Sequence, residues 1–170
     1  MKRLTALALI LALALTGCAA KKSAEKTLTP AERTQLYETA ITAARDEEIN
    51  QVQSVLTSAG EDDAEMVFTL LGVKAKDMSA YALSVSLMNV KAYAVAAIYP
   101  AAGKEDVVLE GLRSFVDNQK QSFEHYLADQ YEIAVNARLE TLEDGTVLLV
   151  MCENQDAVFD AISDAIVKGK

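Results

Sequence analysis

Residues 92–112, AYAVAAIYPAAGKEDVVLEGL, change their apolar period halfway along. The first half is an apolar run stopped by Pro100, which is typical of a buried strand. From Lys104 onward the apolar residues recur at helical spacing. Residues 145–162, GTVLLVMCENQDAVFDAI, repeat the same order loosely. The two stretches therefore predict a strand followed by a helix in each half of one domain.

A further strand precedes each of these stretches. Residues 81–87 alternate large apolar and small side chains, and residues 131–142 alternate again before the hairpin turn at Glu143-Asp144-Gly145. Helices are predicted over 104–127 and 155–167. The order strand-strand-helix thus occurs twice. It predicts an α+β fold with a four-stranded, mainly antiparallel sheet and two helices on one face.

A pair of helices is predicted before the sheet. Thr29-Pro30-Ala31-Glu32 forms a capping box with proline at the first helical position, and helical spacing continues to about residue 57. A shorter helix opens with acidic residues and ends at Gly72, a glycine suited to a left-handed cap. Gly111, inside the predicted helix 104–127, is expected to permit close packing against the sheet.

The first 18 residues have the features of a bacterial lipoprotein signal. Lys2 and Arg3 precede an apolar run, residues 4–15, which suits a signal-peptide core of roughly 7–15 residues and is too short to span a bilayer. The run ends in Leu-Thr-Gly-Cys, which resembles the lipobox. That resemblance implies cleavage before Cys18, attachment of diacylglycerol to its sulfur and acylation of the new amine, for example with palmitate. Two or three acyl chains suffice for stable anchoring. The alternative is an ordinary secretory signal with a chance cysteine.

The remaining chain divides into a tether and one domain. Residues 18–29 are predicted to form the lipidated cysteine and a flexible tether, and residues 30–170 a single domain. The chain has 16 basic and 25 acidic residues, and removing residues 1–17 takes away only Lys2 and Arg3, so the formal charge falls from −9 to −11. This balance argues against nucleic-acid binding, which needs clustered lysine and arginine. Only Cys152 remains beside Cys18, so no intramolecular disulfide is expected.

Several motifs in order resemble one protein family. They are the lipobox, a short helix closing on Leu70-Leu71-Gly72-Val73, a strand with AVAAIY, a helix ending QKQSFEHYL and the hairpin GTVLLVMCENQDAVFDAI. Together they resemble the domain of unknown function 4358 family of bacterial lipoproteins over about residues 61–168. The chain departs from the family in having Leu71 where tyrosine is frequent, and in its longer first helix. The resemblance implies a membrane-anchored, extracytoplasmic domain and no particular activity.

The sequence contains no recognisable catalytic motif. The only histidine, His125, is predicted to be solvated at a helix end, and Cys152 to be a small buried hydrophobe. With one histidine, the usual zinc ligand sets are not expected, and we predict no cofactor and no metal. Helix-start chemistry explains the acidic cluster Glu61, Asp62, Asp63 and Glu65, although a calcium or catalytic role is an alternative.

One face of the predicted sheet is rich in small side chains. If the helices cover the face carrying Leu83, Val85, Val135 and Leu149, the other face presents Ala82, Ser84, Ser86, Ala94, Ala96, Ala134, Asn136 and Arg138. Either the first helix lies across this face, or the face is a binding surface with Ser84, Ser86, Asn136 and Arg138 as its polar residues.

These observations predict a lipid-anchored lipoprotein at the extracytoplasmic face of the cell membrane. We expect a non-enzymatic module that binds an envelope protein or a small ligand. The alternative is an envelope hydrolase or transferase that uses the acidic residues Glu61, Asp62, Asp63 or Glu65.

Overall fold

The computed structural model describes residues 28–169. The signal sequence, Cys18 and the tether up to residue 27 lie outside the described residues. The elements, in chain order, are α1 (Pro30–Ala44), α2 (Glu47–Val52), α3 (Ala64–Leu71), a short 3₁₀ turn (Ala75–Asp77), β1 (Met78–Val85), β2 (Ala94–Pro100), α4 (Glu105–Phe123), α5 (Ala128–Val135), β3 (Arg138–Thr141), β4 (Val147–Met151) and α6 (Gln155–Lys168). The predicted α+β class and the helices before the sheet are confirmed.

The four strands form one antiparallel sheet in the order β1-β2-β4-β3. The repeat of strand, strand and helix is present as β1-β2-α4 and β3-β4-α6, with α5 added between the halves. The second strands of the two halves, β2 and β4, pair with each other at the centre, where Ala97 lies opposite Leu148.

The sheet is buried on both faces, which corrects the expectation of two helices on one face. Helices α3, α4 and α5 pack on the face that carries Leu83 and Leu149. Helices α1 and α6 pack on the opposite face, against Ala82 and Leu148. The cause is the central strand β4, which is apolar and buried at all five positions, so that each of its faces needs a cover.

The first helix lies across the small-residue face, as one of the two interpretations predicted. Tyr37 and Ile41 of α1 share a buried cluster with Ala82 of β1. Three alanines were assigned to this face wrongly: Ala94 and Ala96 of β2, and Ala134 of α5, belong to the core on the other face. Residues directly opposite in an antiparallel pair share a face, and Ala96 lies opposite Leu83.

The predicted helix 30–57 is interrupted after Ala44. Arg45 is extended, and the Asp46 side chain accepts a hydrogen bond from the backbone N–H of Ile49 at 2.8 Å, which starts α2. Beyond α2 the chain is extended again, and Leu56 exchanges two backbone hydrogen bonds with Leu83, at the edge of β1. At the break, the Arg45 side chain donates a hydrogen bond to Ser84 of β1 at 2.7 Å.

The predicted strand 131–142 is instead a helix, α5, followed by the four-residue strand β3. Its apolar residues fit both periods, because Leu127, Tyr131 and Ala134 are also spaced as on one helical face. All three pack into the core with α4. The Gln130 side chain, one residue before Tyr131, accepts a hydrogen bond from the backbone of Ala92 at 2.8 Å. Tertiary packing therefore decides between two patterns that the sequence allows.

Gly111 permits a close approach, but to α3 rather than to the sheet. A Cβ atom at Gly111 would lie 2.7 Å from the carbonyl oxygen of Gly72. Gly72 has the left-handed conformation predicted for a helix cap, with φ at 68°. The end of α3 and the middle of α4 thus touch backbone to backbone.

Candidate binding cleft

A cleft of about 390 Å³ opens at the end of the sheet where β2 begins and β4 ends. Its walls come from the α1–α2 junction, the start of β2, α5 and the first turn of α6. This volume lies within the usual range for small-molecule sites. The residues that define its character are Arg45, Ile49, Lys91, Tyr93, Ile133 and Val158.

Arg45 is held in the cleft by neutral oxygen atoms. Its Nε donates to the Asn50 side-chain oxygen at 2.9 Å, and its Nη1 donates to Ser84 Oγ at 2.7 Å and to the Tyr93 hydroxyl at 3.0 Å. The side chain is half-buried. Among residues 28–169 no carboxylate lies within ion-pair distance of it, and its Nη2 makes no hydrogen bond. The guanidinium is therefore fixed in position, and no carboxylate of the described residues forms an ion pair with it.

The sheet supplies two of these partners from buried positions. Ser84 is 1% exposed near the end of β1, and Tyr93 is 4% exposed just before β2. Burial raises the pKa of the Tyr93 hydroxyl, and the hydrogen bond from Arg45 opposes that rise. The hydroxyl consequently stays protonated at neutral pH and accepts from Arg45 as a neutral group.

The four residues predicted to form an open polar face lie in separate places. Ser84 is buried against Arg45, and Ser86 is buried where its Oγ accepts from the backbone of Met88 at 3.2 Å. Asn136 is exposed at the end of α5 and donates to the carbonyl of Glu132. Arg138 lies on the edge strand β3. They do not form one surface, because α1 and α6 cover the sheet between them.

Arg138 is surrounded by carboxylates. Its guanidinium nitrogens lie 2.8 Å from Glu140 and 2.8 Å from Asp160, with Asp156 at 3.5 Å, and its Cζ atom is 3.8 Å from the centre of the Phe159 ring. Its charge is thus matched locally, unlike that of Arg45.

Cys152 lines the cleft, and its thiol is expected to have low reactivity. Burial raises the pKa of its thiol to about 11, with a further contribution from Glu153 and a small opposing one from Arg45. The thiolate, which is the reactive form, is therefore scarce at neutral pH. This confirms the prediction of a small buried hydrophobe. His125 lies beside Glu124 with 88% of its side chain exposed, which confirms the prediction of a solvated helix end.

The acidic cluster, Glu61, Asp62, Asp63 and Glu65, lies before and at the start of α3, and Glu61 in it binds backbone N–H groups. The carboxylate of Glu61 accepts hydrogen bonds from the backbone N–H groups of Thr57 and Ser58, both at 2.8 Å. Asp63 stands at the N-cap position of α3, and its side chain makes no capping hydrogen bond. Within residues 28–169, no group of three or more His, Cys, Asp or Glu side chains is placed to hold a metal ion.

Arg45 was missed by the sequence analysis, although a signal exists. Arg33, Tyr37, Ile41 and Arg45 follow one another at four-residue intervals, so that a buried stripe of α1 has an arginine at each end. A charged residue that continues an apolar helical stripe must find polar partners inside the fold.

The comparisons with known proteins identify the family. The model of a family described as domain of unknown function DUF4358 matches residues 53–152, which is more than half of the chain, so the chain belongs to that family. The match runs from the end of α2 to the end of β4 and leaves out α1 and α6, whereas the sequence motifs suggested residues 61–168. A search of curated proteins and a search of solved structures each gave no match. No helix within residues 28–169 has the length and apolar character needed to cross a bilayer.

Proposed function

We propose that this DUF4358 protein is a lipid-anchored, extracytoplasmic bacterial lipoprotein that binds a ligand in the cleft at Arg45 and catalyses no reaction. The lipobox-like sequence at Cys18 supports the anchor. The observation that carries the binding role is the cleft itself, in which a fixed guanidinium without an ion-pair partner among the described residues lies beside apolar side chains. Sites that bind small molecules are commonly apolar clefts with a few convergent polar groups.

The direction of α1 supports this arrangement. The helix begins after its N-cap Thr29, near the β3–β4 turn where Arg33 meets Asp144, and it ends before its C-cap Arg45, which lines the cleft. Fifteen helical residues span about 22 Å. A chain anchored at Cys18 therefore enters the domain at one end of α1, and the cleft opens at the other, away from the anchored end.

Replacement of Cys18 tests the anchor. In a bacterial host that processes lipoproteins, the full chain should fractionate with membranes and incorporate an alkyne-labelled fatty acid. Cys18→Ser should abolish the label and release the protein from the membrane fraction, while Cys152→Ser should change neither. Membrane association of Cys18→Ser without label would contradict the proposal.

Crosslinking in cells tests the binding role. A photoreactive residue at Lys91, at the mouth of the cleft, should give a specific adduct with a ligand or partner. The same residue at Glu143, an exposed turn position at the opposite end, is the matched control and should give none. Equal adducts at both positions, or none at Lys91, would count against a binding role for the cleft.

The alternative, an envelope hydrolase or transferase with an acidic site, has less support. Glu61 already satisfies two backbone N–H groups, so its carboxylate has a local role. Joint replacement of Glu61, Asp62, Asp63 and Glu65 by their amides should leave cellular function intact under our proposal. Loss of function in a variant that still folds would favour the enzyme.

A further inference from the structure

We infer that the cleft recognises a carboxylate carried on an apolar group, as in an apolar amino acid or the C-terminus of a peptide. This inference rests on the proposed binding function and specifies its ligand. It follows from three properties of the cleft: the donors that remain on Arg45, the balance of the other charges and the apolar walls.

The first property is the free side of the guanidinium. Three hydrogen bonds hold Nε and Nη1, so Arg45 has little rotational freedom left to lose when a ligand binds. The two N–H groups of Nη2 have no partner among the described residues. An arginine stays charged and has donors only. Its ligand is therefore a hydrogen-bond acceptor, and an anionic acceptor gives bonds roughly twice as strong as a neutral one.

The second property is the charge balance around Arg45. Lys91 adds a second positive charge, with its Nζ 5.9 Å from the centre of the Tyr93 ring. Asp46 and Glu153 also line the cleft, and they bring the formal charge of the lining to zero. The Asp46 carboxylate is already occupied by the backbone of Ile49. Such a lining suits a monoanion or a zwitterion and disfavours a dianion such as a phosphate monoester.

The third property is the apolar part of the cleft lining. Ile49, Ile133 and Val158 are half-buried and line the cleft together with Ala92 and Ala157. An apolar ligand side chain would remove this surface from water, at about 25 cal/mol per Å² of apolar area. Free inorganic anions would gain nothing from it. The ligand therefore combines a carboxylate with an apolar group.

Other arginines in the fold do not offer this combination. Arg33 is paired with Asp144, and Arg138 with three carboxylates. Arg113 is exposed on α4, outside the cleft. Replacement of Arg113 is therefore a control, because it removes an arginine without changing the cleft.

Calorimetry with defined probes tests the inference. The full chain in detergent at pH 7 is titrated with N-acetyl-leucine, leucine, N-acetyl-alanyl-leucine, N-acetyl-leucinamide and phenyl phosphate. We expect the carboxylates to bind, and the amide to bind about 10- to 100-fold more weakly, since a hydrogen bond to a charged group contributes about 1.5–3 kcal/mol. Tighter binding of the acetylated dipeptide indicates a peptide C-terminus as the source, and tighter binding of leucine indicates a free amino acid.

Two pairs of variants locate the binding. Ala157→Trp places a large ring in the cleft from an exposed position on α6, and Ala161→Trp makes the same change one turn further along. We expect the first to abolish carboxylate binding and the second to preserve it. Arg45→Gln should weaken carboxylate binding by about 10- to 100-fold, while Arg113→Gln leaves it unchanged. If Arg45→Gln fails to fold, the tryptophan pair still decides the location.

Three results would overturn the inference. They are equal affinity for the acid and the amide, preference for phenyl phosphate, and binding that Ala157→Trp does not affect. If no probe binds but Lys91 still gives a specific crosslink, the ligand class is wrong and the binding function stands. If both experiments fail, the proposed function fails as well.

Discussion

Each end of α1 has a half-buried arginine, and the two arginines differ in their partners: one is bound to a carboxylate and the other to neutral oxygens. At the start of the helix, Arg33 Nη1 lies 2.7 Å from Asp144 Oδ2, and its Cζ atom is 3.9 Å from the centre of the Tyr99 ring. At the end of the helix, Arg45 meets only the neutral oxygens of Asn50, Ser84 and Tyr93 among the described residues.

The difference separates a structural charge from one that can act on a ligand. The side chains of Arg33 and Asp144 are only 11% and 4% exposed, so their charges cancel within the protein. Arg45 is also held in place, by three hydrogen bonds, but it has no ion-pair partner among the described residues, so its positive charge can attract a ligand in the cleft. Under the proposed function, Arg33 contributes to stability and Arg45 to ligand recognition, and the two roles can be tested separately.

The largest expected effect is at the Arg33 end. Asp144→Asn leaves the buried guanidinium without a counter-charge and should lower the free energy of unfolding by about 3 kcal/mol, measured by urea denaturation. The control Glu140→Gln, in the exposed cluster around Arg138, should cost less than about 0.5 kcal/mol. Similar losses in both variants would erase the distinction between the two ends.

The contribution of Asp144 to the free energy of unfolding should also depend on pH. Burial alone would raise its pKa, but hydrogen bonds from the backbone and side chain of Thr146 and from Arg33, together with the charge of Arg33, bring the pKa below its ordinary value of 3.8. Because the folded pKa is the lower one, the stabilisation is complete well above 3.8 and is lost as pH falls through the folded pKa. The stability difference between the wild type and Asp144→Asn should shrink between about pH 5 and pH 2. A difference that stays constant over this range would contradict the ion pair.

The second effect concerns Cys152, beside the Arg45 end. A pKa raised from 9.0 to about 11 implies roughly 100-fold less thiolate at pH 8 than in the unfolded chain. Iodoacetamide should therefore modify Cys152 at least about 10-fold more slowly in the native protein than in urea, because the higher nucleophilicity of a high-pKa thiolate offsets part of the loss of thiolate; mass spectrometry of its peptide follows the reaction. Rapid alkylation of the native protein would contradict the burial of the Cys152 thiol.

The smallest effects compare the two tyrosines. Tyr37→Phe breaks the 2.6 Å hydrogen bond between the Tyr37 and Thr146 hydroxyls, both fully buried, and should cost about 1–2 kcal/mol of unfolding free energy. Tyr93→Phe should cost about 0.5–1 kcal/mol, since Arg45 keeps its other partners. Tyr126→Phe, at a position 81% exposed, is the control and should change nothing. If Tyr93→Phe lost more unfolding free energy than Tyr37→Phe, the Tyr93 hydroxyl would contribute more to stability than the Tyr37 hydroxyl, contrary to this prediction.

Much of the fold could be predicted because its signals are local. The capping box at Thr29, the left-handed cap at Gly72 and the turn at Gly145 each depend on a few adjacent residues, and all three are present. Strands β2 and β4 follow from apolar runs. Which face each helix covers could not be predicted, since strands that are apolar on both sides give no preference.

The site was harder to predict because it depends on the break after Ala44. Arg45 continues the α1 stripe of Tyr37 and Ile41 and meets the same face of the sheet, but the extended chain at Arg45 and the cap of α2 form a wall of the cleft there. The four-residue spacing singles out Arg45 in the sequence, but nothing in the sequence shows that its partners are the distant residues Ser84 and Tyr93. Ser84 was singled out as a surface residue, and it proved to be a buried partner of the cleft arginine.

The direction of α1 also has a mechanical consequence for a protein tethered by its N-terminus. Tension on such a tether would reach α1 at its N-terminal end and load the capping box and the Arg33–Asp144 pair before the rest of the helix. Beyond that clamp, α1 would peel from the sheet one turn at a time, through Tyr37 and Ile41, and Arg45 would be the last to leave. A pull strong enough to break the clamp would thus still have a whole helix to remove before it reached the cleft.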